Sequence, residues 1–181
     1  MEIHEQTNHN SFFWKSGNIS LPWKNNEHRQ LNYIREPYND SSEIKKWREI
    51  GFTHEHFTGE MYDMRNPEPN WMKLSVLKTL FPYEHLSWSF YKMTTGVILP
   101  RHVDKFVRFR KIHDCSNKVI VRALIMLEDW QQGHYLDMAD SPIVNWKAGD
   151  YAVWTSAVPH TAANIGWTNR YTLQLTGLIE I

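Results

Sequence analysis

The spacing of apolar residues changes along the chain, from helical periods before residue 83 to alternating or continuous apolar runs after it. The first predicted helix spans about residues 41–50 and has three apolar residues on one side, Ile44, Trp47 and Ile50. Asp40 and Glu43 fit a capping box at its start, because the first carboxylate can accept an early backbone N–H and the second can reach back. Gly51 is expected to end this helix.

A second helical stretch follows Pro67-Glu68-Pro69, and its apolar residues form a core-facing stripe at three-residue spacing. They are Trp71, Leu74, Leu77 and Leu80. Between the two helices, residues 52–66 predict a short strand and a turn. His54 and His56 have the spacing of two metal ligands on one strand face. A polar strand face explains the same pair, since no third ligand is evident.

The second half of the chain predicts a series of short strands with turn residues between them. We place them at about residues 88–96, 97–100, 119–127, 135–138, 144–146, 151–154, 160–165 and 170–178. Such a series indicates a mainly β protein with flanking helices, built as a double-sheet, cupin-like jelly roll. The two helices are expected on its outer face. Residues 1–40 are expected to form short strands or loops at a sheet edge.

Length and composition narrow the class of protein. The 181 residues suit a single domain, 1–181, in which 1–84 support a β core at 85–181. Lys plus Arg and Asp plus Glu both number 20, so no net charge favours nucleic acid or a membrane surface. The single cysteine, Cys115, excludes an internal disulfide and fits the cytoplasm more easily than an oxidising compartment. We see neither a secretory signal nor an apolar run long enough to span a membrane.

The candidate chemistry lies in two separated segments. His102 and Asp104 are two residues apart, so on a strand their side chains point to the same face. His160 follows a proline and begins a later predicted strand, where it can supply a third ligand. Two histidines and one carboxylate on one side of a metal leave the other positions open, as in non-haem Fe(II) oxygenases.

Arg170 and Thr172 add a site for an anion beside this metal set. Arg170 lies ten residues after His160, so a short turn between antiparallel strands can bring both into one cavity. A buried arginine that faces a metal pocket needs an anion, and its planar fork matches a carboxylate. Thr172 is two residues further on, on the same face, and offers a hydroxyl donor.

These motifs resemble those of the Fe(II)- and 2-oxoglutarate-dependent oxygenases on the double-stranded β-helix fold, in particular the prolyl-hydroxylase-like branch. His102-Val-Asp104 matches the family's His-x-Asp, His160 its distal histidine, and Arg170-Tyr-Thr172 its Arg-x-Ser/Thr. The resemblance covers about residues 85–178. One departure concerns the anion anchor, which is a lysine in prolyl-hydroxylase-like members and arginine here, so the link to proline as substrate is weaker.

The resemblance implies a cofactor, a co-substrate and a reaction. His102, Asp104 and His160 would hold Fe(II), and 2-oxoglutarate would chelate the iron and place its far carboxylate on Arg170, helped by Thr172. O2 would then drive decarboxylation to succinate and oxidation of a substrate C–H bond. Because the carboxylate ligand is present and halogenating members lack it, hydroxylation or a related oxidation such as demethylation is implied.

The substrate and the oligomeric state stay open at this stage. A small molecule, a peptidyl residue or a nucleobase would each fit, although the balanced charge argues mildly against extended nucleic-acid binding. Two other functions compete with the oxygenase. One is a cupin-like metal-binding module without 2-oxoglutarate turnover, and the other is a metal enzyme that uses no 2-oxoglutarate.

Several residues near these motifs have two interpretations each. Tyr91 can donate to 2-oxoglutarate or pack as a core aromatic. Arg122 interrupts an apolar run, so it either lines the substrate side or pairs with an acidic residue. Asn164 faces the co-substrate or serves a turn, and Trp154 fits barrel packing better than substrate binding.

The segment 105–118 is basic and aromatic and directly follows the His-x-Asp motif. Its position suggests a lid or a substrate contact, with preference for an anionic substrate, and a solvated loop is the alternative. A zinc site of His113, Cys115 and His134 is disfavoured, because their spacing fits no usual zinc pattern.

Overall fold

A computed structural model describes residues 13–24, 26–36, 42–115 and 118–180. Its strands are β1 (Trp14–Asn18), β2 (Ile34–Arg35), β3 (Glu60–Asp63), β4 (Glu84–Met93), β5 (Ile98–His102), β6 (Val119–Met126), β7 (His134–Met138), β8 (Ser141–Ile143), β9 (Asp150–Thr155), β10 (His160–Asn164) and β11 (Arg170–Ile179). Its helices are α1 (Ser42–Glu49), α2 (His54–Phe57), α3 (Leu74–Leu80) and α4 (Val107–Ile112), with a 3-10 turn at Glu27–Gln30.

The strands form two antiparallel sheets that face each other. The larger sheet has the order β1-β9-β6-β11-β4-β3-β2, and the smaller has the order β5-β10-β7-β8. From β4 onward the chain passes back and forth between the sheets, except at the β7–β8 hairpin, which lies wholly in the smaller sheet. This arrangement confirms the predicted jelly roll with flanking helices.

Alternation along the strands of the larger sheet produces two apolar layers. Leu173 and Leu175 of β11 face outward and pack with Met72 and Leu77, both 0% exposed, in an outer layer beneath α3. The residues between them face the smaller sheet. The inner layer is made by apolar side chains of both sheets, among them Met93, Met126, Leu136, Met138 and Trp154.

The structure confirms much of the predicted element order. Eight strands are described from residue 84 onward, as expected, although β8 occupies Ser141–Ile143 and not 144–146. The first predicted helix is α1, with Trp47 as its buried residue. The proposed capping residue Asp40 lies outside the described residues.

Three local predictions differ from the structure in part. Residues 52–66 contain the predicted short strand, β3, but residues 54–57 before it form the helix α2, because Thr53 and His56 form a reciprocal capping box. The second helix begins only at Leu74, after an irregular proline segment, and Leu80 at its end is 43% exposed and so lies outside the core. Segment 105–118 contains the short helix α4, which the aromatic residues Phe106 and Phe109 anchor to Leu178.

The two edge strands of the larger sheet, β1 and β2, both come from the segment before β3. β1 pairs with β9 at one edge, and β2 pairs with β3 at the other. This agrees with the expected edge strands in the first forty residues. The two predicted helices differ in position, because α3 covers the outer layer whereas Trp47 of α1 packs against His102. None of the described helices combines the length and the apolar character that a membrane crossing requires.

Candidate metal centre

The pairing of β5 with β10 brings two histidines together. His102 and His160 are direct cross-strand partners, and their ring centroids are 4.3 Å apart. Asp104 follows the end of β5, and its Oδ2 lies 3.8 Å from His160 Nε2. One ligand atom from each of the three residues lies within 4.8 Å of the other two. A divalent ion with ligands about 2.1 Å away would fit among these atoms after a small inward shift.

Backbone carbonyls fix the tautomer of both histidines. His102 Nδ1 lies 2.7 Å from the carbonyl oxygen of Pro100, and His160 Nδ1 lies 3.1 Å from that of Val158. Because a carbonyl oxygen only accepts, each Nδ1 carries the proton and each Nε2 keeps a free lone pair. Metal-binding histidines in proteins are typically oriented in this way.

The protonation states of the centre also suit a cation. Burial and the neighbouring His160 lower the pKa of His102 to about 4, although Asp104 and the Pro100 carbonyl oppose the shift. Burial alone would raise the pKa of Asp104, but Arg122, the two histidines and the Trp154 indole together hold it below its usual value. At neutral pH the centre therefore offers a neutral imidazole at His102 and a carboxylate at Asp104.

Two side chains of the larger sheet hold the Asp104 carboxylate. Trp154 donates its indole N–H to Asp104 Oδ2 at 3.0 Å, and Arg122 Nη1 lies 3.1 Å from both carboxylate oxygens. The guanidinium of Arg122 packs over the Phe106 ring at 4.9 Å and donates from Nε to Thr176. Arg122 thus pairs with an acidic neighbour, which was one of its two interpretations. Trp154 packs in the barrel as expected and also fixes a proposed metal ligand.

We expect Trp154→Phe to weaken Fe(II) binding by about 10- to 100-fold, the usual cost of losing a hydrogen bond to a metal-binding carboxylate. Anaerobic Fe(II) titration measures the effect. Trp88→Phe is the matched control, because Trp88 is also a buried tryptophan but belongs to the outer layer. Equal Fe(II) affinity of the Trp154 variant and the wild type would contradict this role.

Arg170 and Thr172 lie on the inner face of β11 with unused hydrogen-bonding groups. Arg170 is buried and donates from Nη1 to the carbonyl oxygen of Tyr135 at 2.7 Å. Its Nε and the Thr172 hydroxyl are both buried, and neither has a hydrogen-bond partner among the described residues. Within the described part of the chain, Arg170 forms no salt bridge with a carboxylate.

A buried and unpaired guanidinium is costly in free energy unless an anion accompanies it. Burial lowers the pKa of Arg170 to about 10, and Tyr91 opposes this effect. Arg170 therefore remains a cation at neutral pH. An anion with hydrogen-bond acceptors, such as a carboxylate, would satisfy both Arg170 and Thr172.

Tyr91 stands directly opposite Thr172 across the β4–β11 pair. Its hydroxyl accepts a hydrogen bond from Gly59 N–H at 2.9 Å and donates to Glu36 Oε2 at 3.3 Å. Only glycine fits at position 59, since a Cβ there would lie 2.5 Å from the phenol oxygen. Tyr91 is thus a buried aromatic of the inner layer whose one donor is directed at Glu36 in this structure.

The remaining sequence candidates have structural roles. Asn164 donates to the carbonyl oxygens of Met93 and Thr168 and accepts from Gly166 N–H, which is the chemistry of a turn. His113 stacks on His85 and belongs to no metal-like group. Within the described residues, the triad of His102, Asp104 and His160 is the one group with metal-ligand geometry.

Sequence reasoning missed two residues beside the centre. Trp47 of α1 makes an edge contact with the His102 ring, with centroids 5.2 Å apart. Glu36, just after β2, reaches the interior through its hydrogen bond with Tyr91. Both come from the segment before β3, where no local spacing linked them to the metal motif.

Comparison with known proteins identifies the fold through similarity to solved structures, not through sequence. No protein-family model matches the sequence, and no curated protein sequence does. Among solved structures, a Pseudomonas putida prolyl-4-hydroxylase is similar with a TM-score of 0.52 and 20% identity, over 77% of this chain and 83% of that one. A non-haem α-ketoglutarate-dependent carbocyclase, SnoK from nogalamycin biosynthesis, is similar with a TM-score of 0.51 and 13% identity, over 90% and 87% of the two chains.

These similarities show that the chain has the jelly-roll fold of the 2-oxoglutarate-dependent oxygenases. At such identities they show the fold alone.

Proposed function

We propose that this protein is an Fe(II)- and 2-oxoglutarate-dependent dioxygenase that hydroxylates a small-molecule or peptide substrate. One observation carries the proposal. Arg170 and Thr172 have buried hydrogen-bonding groups with no partner among the described residues, on the inner face of the sheet whose Trp154 and Arg122 bind the proposed metal ligand Asp104. A cupin-like metal site alone would not need a buried guanidinium without a counter-ion. The single cysteine fits a cytoplasmic location.

The donor set fits Fe(II). His102 and His160 offer Nε2 lone pairs and Asp104 a carboxylate, and three ligands leave open coordination positions. When bound, iron and O2 would supply the oxidising chemistry that couples decarboxylation of 2-oxoglutarate to succinate with oxidation of a C–H bond.

The protein's own residues would do the binding and positioning. Arg170 would hold the far carboxylate of 2-oxoglutarate with its guanidinium, and Thr172 would add a hydroxyl donor. The surrounding inner layer, with Met93 and Met126 opposite these two residues, would exclude water and so strengthen that ion pair. Because Asp104 keeps a carboxylate among the ligands, hydroxylation is proposed over halogenation.

The first test is anaerobic spectroscopy of the wild-type protein. Addition of Fe(II) and 2-oxoglutarate together is expected to give a weak visible charge-transfer band, and Fe(II) alone is not. Admission of air with a substrate should then yield one succinate for each 2-oxoglutarate consumed. If Fe(II) is retained but neither band nor succinate is seen, the proposal fails and a metal-binding module is supported.

A further inference from the structure

A second charged side chain, the carboxylate of Glu36, faces the same interior. Ile34 of β2 pairs with Met61, which packs against the inner layer, so Glu36 lies two residues further along on the same face. The backbone N–H of Glu36 donates to the Gly59 carbonyl oxygen at 3.0 Å, which continues the edge of the sheet. This pairing fixes where the side chain enters the interior.

Within the described residues, the partner of the Glu36 carboxylate is the neutral hydroxyl of Tyr91. Its Oε2 accepts the hydrogen bond of Tyr91 at 3.3 Å. Among residues 13–24, 26–36, 42–115 and 118–180, no lysine or arginine forms a salt bridge with it. Carboxylates away from bulk water are normally paired with a cation, because the desolvation cost is otherwise uncompensated. Glu36 therefore has the capacity to bind a further cationic group.

Tyr91 donates to Glu36 and stands opposite Thr172 of β11, so Glu36 borders the interior that the metal centre faces. Burial raises the pKa of Glu36, the Tyr91 hydrogen bond and Arg122 oppose the rise, and Asp104 adds to it. The nearby cations are already engaged, since Arg122 pairs with Asp104 and Arg65 pairs with Asp63. Neither forms an ion pair with Glu36.

We propose that Glu36 is a substrate-binding residue that recognises a cationic nitrogen, an ammonium or guanidinium group, on the molecule to be oxidised. This rests on the proposed function, since it presumes that the substrate enters beside the metal triad. The interior then has two charged subsites separated by Tyr91. Arg170 and Thr172 take the carboxylate of the co-substrate, and Glu36 takes the cation of the substrate.

The opposite charges of the two subsites also explain how the two ligands would be told apart. A dicarboxylate is repelled by Glu36 and attracted by Arg170, whereas an amine or guanidine has the reverse preference. The substrate class is therefore an amine- or guanidine-bearing compound, either free or as a basic side chain. This proposal replaces the anionic substrate that the basic segment 105–118 suggested from sequence.

The test compares matched cationic and neutral probes by calorimetry. The pairs are L-arginine with L-citrulline and L-lysine with L-norleucine, each titrated into the Fe(II)- and 2-oxoglutarate-loaded protein without O2 and into the protein as purified. At least one cationic probe is expected to bind the wild type about tenfold or more tightly than its neutral partner. Glu36→Gln should abolish that preference, because it keeps the size and the Tyr91 contact but removes the charge.

Glu60→Gln is the control variant. Glu60 lies on the adjacent strand β3 and pairs with Lys92 at 2.7 Å. The Glu60→Gln variant therefore removes a carboxylate at the same sheet edge, but one that points away from the interior. It should keep the wild-type preference. Equal binding of both members of both probe pairs by the wild type, or an unchanged preference in Glu36→Gln, overturns the proposal. A charge-transfer band in the same samples shows separately whether the oxygenase assignment holds.

Discussion

Replacing Arg170 with alanine should raise the apparent KM for 2-oxoglutarate by about 100-fold. Loss of one partner from a buried, hydrogen-bonded charge pair costs about 2–5 kcal/mol, and about 2.7 kcal/mol corresponds to a factor of 100. The guanidinium is buried and its Nε has no partner in the part of the chain that the structure describes, so the co-substrate would lose its main anchor. Steady-state succinate release against 2-oxoglutarate concentration measures the change.

Arg170→Lys separates charge from shape in the same assay. Lysine keeps the positive charge but loses the planar fork, so we expect an increase in KM of about tenfold. The exposed Arg101, which pairs with Asp140, supplies the control Arg101→Ala with an unchanged KM. A wild-type KM in a folded Arg170→Ala protein would remove Arg170 from the co-substrate site.

His160→Ala should reduce succinate formation by at least about 1,000-fold and eliminate the anaerobic charge-transfer band. It removes one of the three proposed ligands, and a loss of this size corresponds to about 4 kcal/mol or more. Because His160 is buried beside Trp154 and His102, thermal melting of the metal-free variant must accompany the assay. Metal content after anaerobic Fe(II) loading and gel filtration gives an independent measurement.

His85→Ala is the matched control for this variant. Its side chain is 46% exposed at the start of β4 and stays outside the triad. It should retain the metal, the band and the rate. Full Fe(II) retention and a normal band in His160→Ala would show that the ion binds elsewhere.

The parts of the site that share a strand could be predicted from sequence. Arg170 and Thr172 are two apart on β11, and the fixed period of a strand places them on one face. His102 and His160 required a further step, because their meeting depends on the antiparallel pairing of β5 with β10. The order of motifs along the chain supplied that step through its resemblance to a known fold.

The contacts that sequence reasoning missed are long-range and depend on side-chain reach. Nothing near Glu36 marks it as an interior residue, since its position follows from the β2–β3 pairing and the hydroxyl of Tyr91. Arg122 had two equal interpretations until the structure placed Asp104 beside it. The wrong strand at 54–57 had a local cause, because the side chain of His56 closes a helix cap that residue spacing alone does not show.

The alternation along β11 has a consequence for how this chain can change. Leu173 and Leu175 pack in the outer layer, whereas Arg170 and Thr172 face the interior. Residues that stabilise the fold therefore alternate along one strand with residues proposed to bind the co-substrate. A substitution can alter one property and spare the other. A one-residue shift in the register of β11 would exchange the two sets, sending leucines into the charged interior and the arginine into the apolar layer. We therefore expect the register of β11 to tolerate change less well than the exposed residues of the preceding turn, such as Trp167 at 98% exposure.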